Sequence, residues 1–114
     1  MTECIFCRIA AGDIPANKVF EDDDLVAFRD IRPMTPIHIQ IIPKRHIETI
    51  QDLSESDSSL IGKMILTANR IASENGLAER GYRLVFNCKG DGGQEVYHIH
   101  LHLLGGRRMG WPPG

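Results

Sequence analysis

Two periods organise the apolar residues of this chain. Between Glu55 and Asn75 they recur at helical spacing, with Leu60, Ile61, Met64, Ile65, Ala68, Ile71 and Ala72 on one stripe. This predicts one long helix whose stripe is a core face. Ser54 is placed to cap it, Asp57 supports its first turn, and Gly76 ends it. Between Val96 and Leu104 the period is two, and Ile99, Leu101 and Leu103 alternate with His98, His100 and His102. That pattern predicts a strand with its apolar set on the core and three imidazoles on the other face, roughly 7 Å apart along the chain.

The remaining elements are shorter. Cys4 to Ala11 reads as a helix stopped by Gly12, with Pro15 beyond it. Lys18–Phe20 and Leu25–Phe28 read as strands around the acidic turn Glu21–Asp24, most simply a solvated turn. Asp30 to Pro36 holds two prolines and is a loop. The Ile-rich run His38–Pro43 is a strand, with Ile39 and Ile41 on one face and His38, Gln40 and Ile42 on the other. Tyr82–Cys88 is a further strand, and Lys89–Gln94 is a glycine-rich turn. One long helix and a short N-terminal helix with an antiparallel sheet make an α+β architecture, read as a single domain over residues 1–114.

Histidine is the side chain that titrates near neutrality, at about 6.5. Three of the chain's five histidines sit within five residues, which reads as a lined site. Two plainer readings stand beside it: a wet strand face, and a zinc strand of the His-x-His kind. A catalytic zinc usually needs a third ligand, often a carboxylate, and no Asp or Glu follows His102. The glycine-rich turn just upstream gives the backbone room to approach an anion. Imidazoles beside an anion-binding backbone, with little acid nearby except Glu95, suit phosphoryl chemistry better than glycoside or peptide chemistry.

With 114 residues and a net charge of −2, the chain is not expected to be a dedicated nucleic-acid binder. No apolar run is long enough to span a membrane, and the start Met1–Arg8 lacks the pattern of a signal peptide. A cytoplasmic location is expected. Three cysteines do not make a disulfide framework, so they read as reduced thiols or metal ligands.

The run His98–Leu104 fits the His-φ-His-φ-His-φ-φ signature, with φ apolar, and the chain resembles the histidine-triad (HIT) proteins. The likeness extends through Ile5-Phe6, Gly12-Asp13-Ile14-Pro15, Ala27–Ile31, Pro36–His38, Ile42–Ile47, Asn87, Asp91–Gln94, Gly105-Gly106 and Trp111–Gly114. It is similar to the Hint branch, the nucleotide-binding members. That resemblance implies a HIT-like fold and a homodimeric purine nucleoside phosphoramidate hydrolase releasing AMP or GMP. It implies that His100 attacks the α-phosphorus and forms a nucleotidyl-histidine, that His102 contacts phosphate and leaving group, and that His98 and His38 complete the catalytic set. It implies ribose and base contacts at Asp30, Ile31 and Phe28, and a phosphate-side loop of Asn87, Gly93, Gln94, Glu95 and Val96. Trp111 would reach the partner's leaving-group site.

Two features depart from animal members of the branch. Position 95 is Glu where those usually have Ser, as in bacterial members. Cys4-x-x-Cys7 is also absent from animal members. Some relatives with this pair bind structural zinc through both cysteines, a histidine matching His46 and one matching His98; two Cys and two His satisfy tetrahedral zinc. No cofactor is implied for the chemistry itself. A nucleotide-sensing protein with negligible turnover is the main alternative. The dinucleoside polyphosphate hydrolase branch is another, but it usually has Gln where this chain has His102.

Overall fold

The computed structural model describes residues 3–114; Met1 and Thr2, which begin the segment expected not to be a signal peptide, lie outside it. The chain runs α1 (Ile5–Ala10), β1 (Lys18–Glu21), β2 (Leu25–Arg29), β3 (Ile37–Pro43), α2 (Ser58–Glu74), β4 (Tyr82–Val85), a single-turn α3 (Lys89–Gly92) and β5 (Leu101–Gly105). The five strands form one antiparallel sheet in the order β1-β2-β3-β5-β4. The expected α+β architecture with one long and one short N-terminal helix is observed.

The long helix begins later than its pattern predicts, because Glu55–Asp57 winds as a 3-10 turn first. Asp57 accepts the Ser54 N–H at 2.9 Å and pairs with Arg45, so its carboxylate fixes the entry to α2. At the other end the Leu77 N–H reaches back to Ala72 O at 2.9 Å and the Gly76 N–H to Ser73 O at 3.1 Å. This closure requires a left-handed residue, and Gly76 supplies it at φ +75°. The acidic turn is held by lysines: Lys63 bridges Asp22 and Asp24 at 2.8 Å each, and Lys44 reaches Glu21 at 2.9 Å. The turn is solvated, as expected, and its ion pairs also tie the β1–β2 hairpin to α2.

The sheet is covered on both faces. Met64, Ala68, Ile71 and Ala72 of α2 pack with Leu25, Ala27, Ile39, Ile41, Ile99, Leu101 and Leu103. Full burial of such an aliphatic side chain contributes about 1.5–3 kcal/mol. Ile65 departs from the predicted stripe: it lies at the stripe's edge and is 38% exposed, with Leu66 beside it at 69%. On the other face α1 lays Phe6 and Ile9 over Val26, Phe28 and Ile42. All five residues of β2 except Arg29 are buried, because its two faces serve two cores.

Candidate active site

The alternation from His98 to Leu104 holds, but paired strand begins only at Leu101. Upstream, the Ile99 N–H bonds Ile47 O at 2.8 Å, outside the sheet ladder. His98 and His100 therefore precede the strand, and the imidazole face is more crowded than a regular strand predicts. The His100 and His102 ring centres are 4.9 Å apart, and Phe6 stands edge-on to His98 at 6.0 Å and to His100 at 5.2 Å. His38 on β3 faces His102 at 5.1 Å. All four histidines expected in the site are thus together.

Backbone partners fix which nitrogen of His98, His100 and His38 carries the proton, and His38 in turn fixes His102. His98 Nε2 donates to Pro43 O at 2.7 Å, so its Nδ1 lone pair is left for other work. His100 Nδ1 donates to His98 O at 2.8 Å, so the Nε2 of neutral His100 is a lone pair. His38 Nδ1 accepts the Met34 N–H at 3.0 Å, so its one proton sits on Nε2, which lies 2.9 Å from His102 Nδ1. His102 then accepts at Nδ1 and carries its proton on Nε2.

Burial lowers the pKa of His38, His98 and His100 below the ordinary value, with Asp30 opposing at His38 and the His98 carbonyl, Asp30 and Glu95 opposing at His100. His102 falls to about 4 through burial and then the neighbouring His100 and His38. The imidazoles are neutral at pH 7. The unfolded chain, with pKa near 6.5, takes up more protons than the folded one as pH drops from there toward 4. The stability these groups carry is complete above pH 6.5 and is lost as pH falls through that window. The thermal midpoint should be flat from pH 7.5 to 6.5 and then decline steadily toward pH 4.5. A midpoint constant down to pH 4.5 in a melting series would contradict this.

The other candidate residues are placed unevenly. Asp30 closes the loop after β2: its Oδ1 accepts the Arg32 N–H at 2.8 Å, and its Oδ2 lies 3.4 Å from His38 Nε2. Phe28 is buried and meets Phe6 edge-on at 5.5 Å. Ile31 stands 93% exposed, an outer wall rather than a floor. The glycine-rich turn is not an open cradle: Lys89–Gly92 wind one helical turn, and the Gly93 and Gln94 N–H groups bond back to Gly90 and Lys89. The Gln94 side chain is buried and committed to backbone, accepting from Lys89 N at 2.8 Å and donating to Glu48 O and Val96 O. It shapes the loop that carries Asn87, Glu95 and Val96. Trp111 is 83% exposed in a single copy, so the chain's own fold does not bring it to the histidines. Gln40, not among the expected site residues, binds Asp30 Oδ2 at 2.6 Å. Its signal in the sequence is a polar residue in phase with His38.

A second cluster adjoins the first. Cys4 Sγ lies 3.3 Å from His98 Nδ1, Cys7 Sγ 3.2 Å from His46 Nδ1, and the two Nδ1 atoms are 3.2 Å apart. All four donor atoms lie within 4.8 Å of one another. Two sulfurs and two imidazole nitrogens at these separations match a tetrahedral zinc site, and the Pro43 contact already orients the His98 lone pair inward.

Comparison with known proteins gives consistent results. The HIT domain profile matches residues 11–109. A purine nucleoside phosphoramidase from Escherichia coli strain K12 is 51% identical over 108 residues, 95% of this chain and 91% of that one. The crystal structure of a HIT family hydrolase from Legionella pneumophila Philadelphia 1 superposes with a TM-score of 0.97 at 60% identity, over 98% of this chain and 100% of the other. A histidine triad protein from Clostridium difficile superposes at 0.93 with 41% identity over 96% of each chain. With a profile match through most of its length and relatives this similar, the chain belongs to the HIT domain family.

Proposed function

We propose that this HIT-family hydrolase cleaves the P–N bond of purine nucleoside 5′-phosphoramidates and releases AMP or GMP. The observation that carries the reading is the His100 ring, whose Nδ1–H is tied to the His98 carbonyl so that Nε2 offers a lone pair beside His102. His100 Nε2 attacks the α-phosphorus, a P–N(His) bond forms, and the bond to the leaving amine breaks as that nitrogen takes a proton from a solvent water, whose hydroxide takes up the proton released in the second half-reaction. Water then attacks the same phosphorus, the P–N(His) bond breaks, and the monophosphate leaves. Splitting one displacement into two lowers each barrier. His102 Nε2–H is oriented to donate toward the phosphoryl group. Asp30 receives the ribose hydroxyls, Phe28 and Ile31 flank the base, and Asn87 with residues 93–96 lies on the phosphate side.

Cys4, Cys7, His46 and His98 would hold a structural zinc that fastens α1 beside the first triad histidine; no chemical step passes through it. The enzyme acts as a homodimer in the cytoplasm. Two features favour the dimer: β4 lies at a sheet edge, and α2 exposes Leu66. No helix among the described residues is long and apolar enough to cross a membrane.

A single-turnover assay with an adenosine phosphoramidate tests the reading. One AMP released per site on the timescale of binding supports it; tight purine nucleotide binding with no release would replace it with a sensing role. The tail adds a second check. Arg83 holds the Gly110 carbonyl at 2.7 Å, so the tail starts from β4 and presents Trp111 outward, where a partner copy would meet it. Removing residues 109–114 should reorder the preference among phosphoramidates with different amines by roughly tenfold, while adduct formation at His100 persists. An unchanged ranking in a truncated protein shown to be dimeric would contradict the role of Trp111.

A further inference from the structure

Gln40 sits mid-β3, opposite His102 on β5 and Phe28 on β2, and is only 9% exposed. Its Nε2 donates to Asp30 Oδ2 at 2.6 Å, while its Oε1 is buried with no partner among the described residues. The orientation is forced, because a reversed amide would set its carbonyl against a carboxylate. A buried carbonyl without a donor costs stability. An aliphatic side chain would fill this place in a strand already built from Ile39, Ile41 and Ile42 without that cost.

Asp30 Oδ2 has a second N–H within reach, that of His38 Nε2 at 3.4 Å. His38 has one proton to give, since Met34 N–H occupies its Nδ1, and the same Nε2 lies 2.9 Å from His102 Nδ1. Where that proton goes decides the tautomer of His102. Directed to His102, it makes Nδ1 an acceptor and leaves the Nε2–H turned out of the pair. Directed to Asp30, it leaves His102 with no donor and no fixed tautomer.

We propose that Gln40 is a positioning residue of the histidine site: by engaging Asp30 Oδ2 it leaves the His38 N–H to His102 and so fixes His102 as a donor at Nε2. Gln40 acts through Asp30 and His38 and touches no reacting atom. The kinetic consequence rests on the hydrolase reading above; the tautomer consequence does not.

Gln40→Leu and Gln40→Met both fill the volume without the donor. In the full-length, ligand-free protein, long-range ¹H–¹⁵N spectra of the imidazoles should show His102 protonated on Nε2 in the wild type and a tautomer mixture in both variants. With an adenosine phosphoramidate, kcat should fall about tenfold and KM should change less than kcat, since the donation at His102 is lost while Asp30 keeps its place through the Arg32 N–H. The thermal midpoint should change little, because the unpartnered carbonyl and the hydrogen bond to Asp30 are lost together. An unchanged His102 tautomer in both variants overturns the proposal. So does a lowered midpoint with unchanged kcat, the mark of a packing role. A tautomer change in a protein that turns over no phosphoramidate supports the positioning role and instead sinks the hydrolase reading.

Discussion

Replacing His100 with Asn should lower phosphoramidate turnover by roughly 10⁴-fold or more, the usual scale for losing a covalent nucleophile. The geometry makes this variant informative. The wild-type ring spends its Nδ1–H on the His98 carbonyl at 2.8 Å and keeps Nε2 for phosphorus. An Asn amide can satisfy the same carbonyl but has no nucleophilic nitrogen. Packing against Phe6 shrinks modestly, and the contacts assigned to Asp30 and Phe28 are left in place. Purine nucleotide binding should therefore change by no more than about threefold while chemistry stops. Acid-quenched mass spectrometry of the intact wild-type enzyme should find an added nucleotidyl group on His100, and the variant should show none. Near-normal turnover in the Asn variant would remove His100 as nucleophile.

The second large effect concerns the metal. Protein purified without chelator or metal-affinity tag should hold about one zinc per chain. Replacing Cys4 and Cys7 together with Ala should abolish this and lower the thermal midpoint by on the order of 10 °C. The size follows from what the cluster joins. The α1 helix has six residues, too few to persist alone, and its hold on the sheet is Phe6, Ile9 and the donor cluster. His98 is 94 positions from Cys4 along the chain, so a metal there closes a loop nearly as long as the molecule. Adduct formation at His100 should survive zinc removal, more slowly, because the metal orients His98 and performs no step. Substoichiometric zinc that does not rise on reconstitution would mean that the two thiols and two imidazoles simply pack.

Much of this site is legible in the order of residues alone. Strict alternation from His98 to Leu103 puts the imidazoles on one face and Ile99, Leu101 and Leu103 in the core, as observed. The start of the strand is not legible, because Ile99 takes its partner from Ile47, and nothing local announces a contact 52 residues away. Ile65 misleads for a related reason: the helical period allows it on the core face, yet it is 38% exposed at the edge of the stripe. The glycine-rich turn misleads by composition. Gln94 gathers the backbone around itself from Glu48 to Val96, and the glycines serve that winding. Gln40 has the right phase on β3, yet its importance depends on where the Asp30 loop closes, a tertiary matter.

The order of strands bears on how this protein is made. β5 follows β4 in sequence but lies between β3 and β4, and among the described residues β4 has its sheet partner only in β5. While the chain is being synthesised, β1, β2 and β3 can pair as soon as they emerge, but β4 has nowhere to dock. The sheet, the triad and the donor cluster are all completed by residues 98–105. Until residue 105 is clear of the ribosome, the apolar face of α2 has only part of its cover. Folding is thus weighted toward contacts distant in sequence, which slows it. A chain stopped at residue 100 should be an aggregation-prone fragment, whereas one stopped at residue 108 retains every described strand.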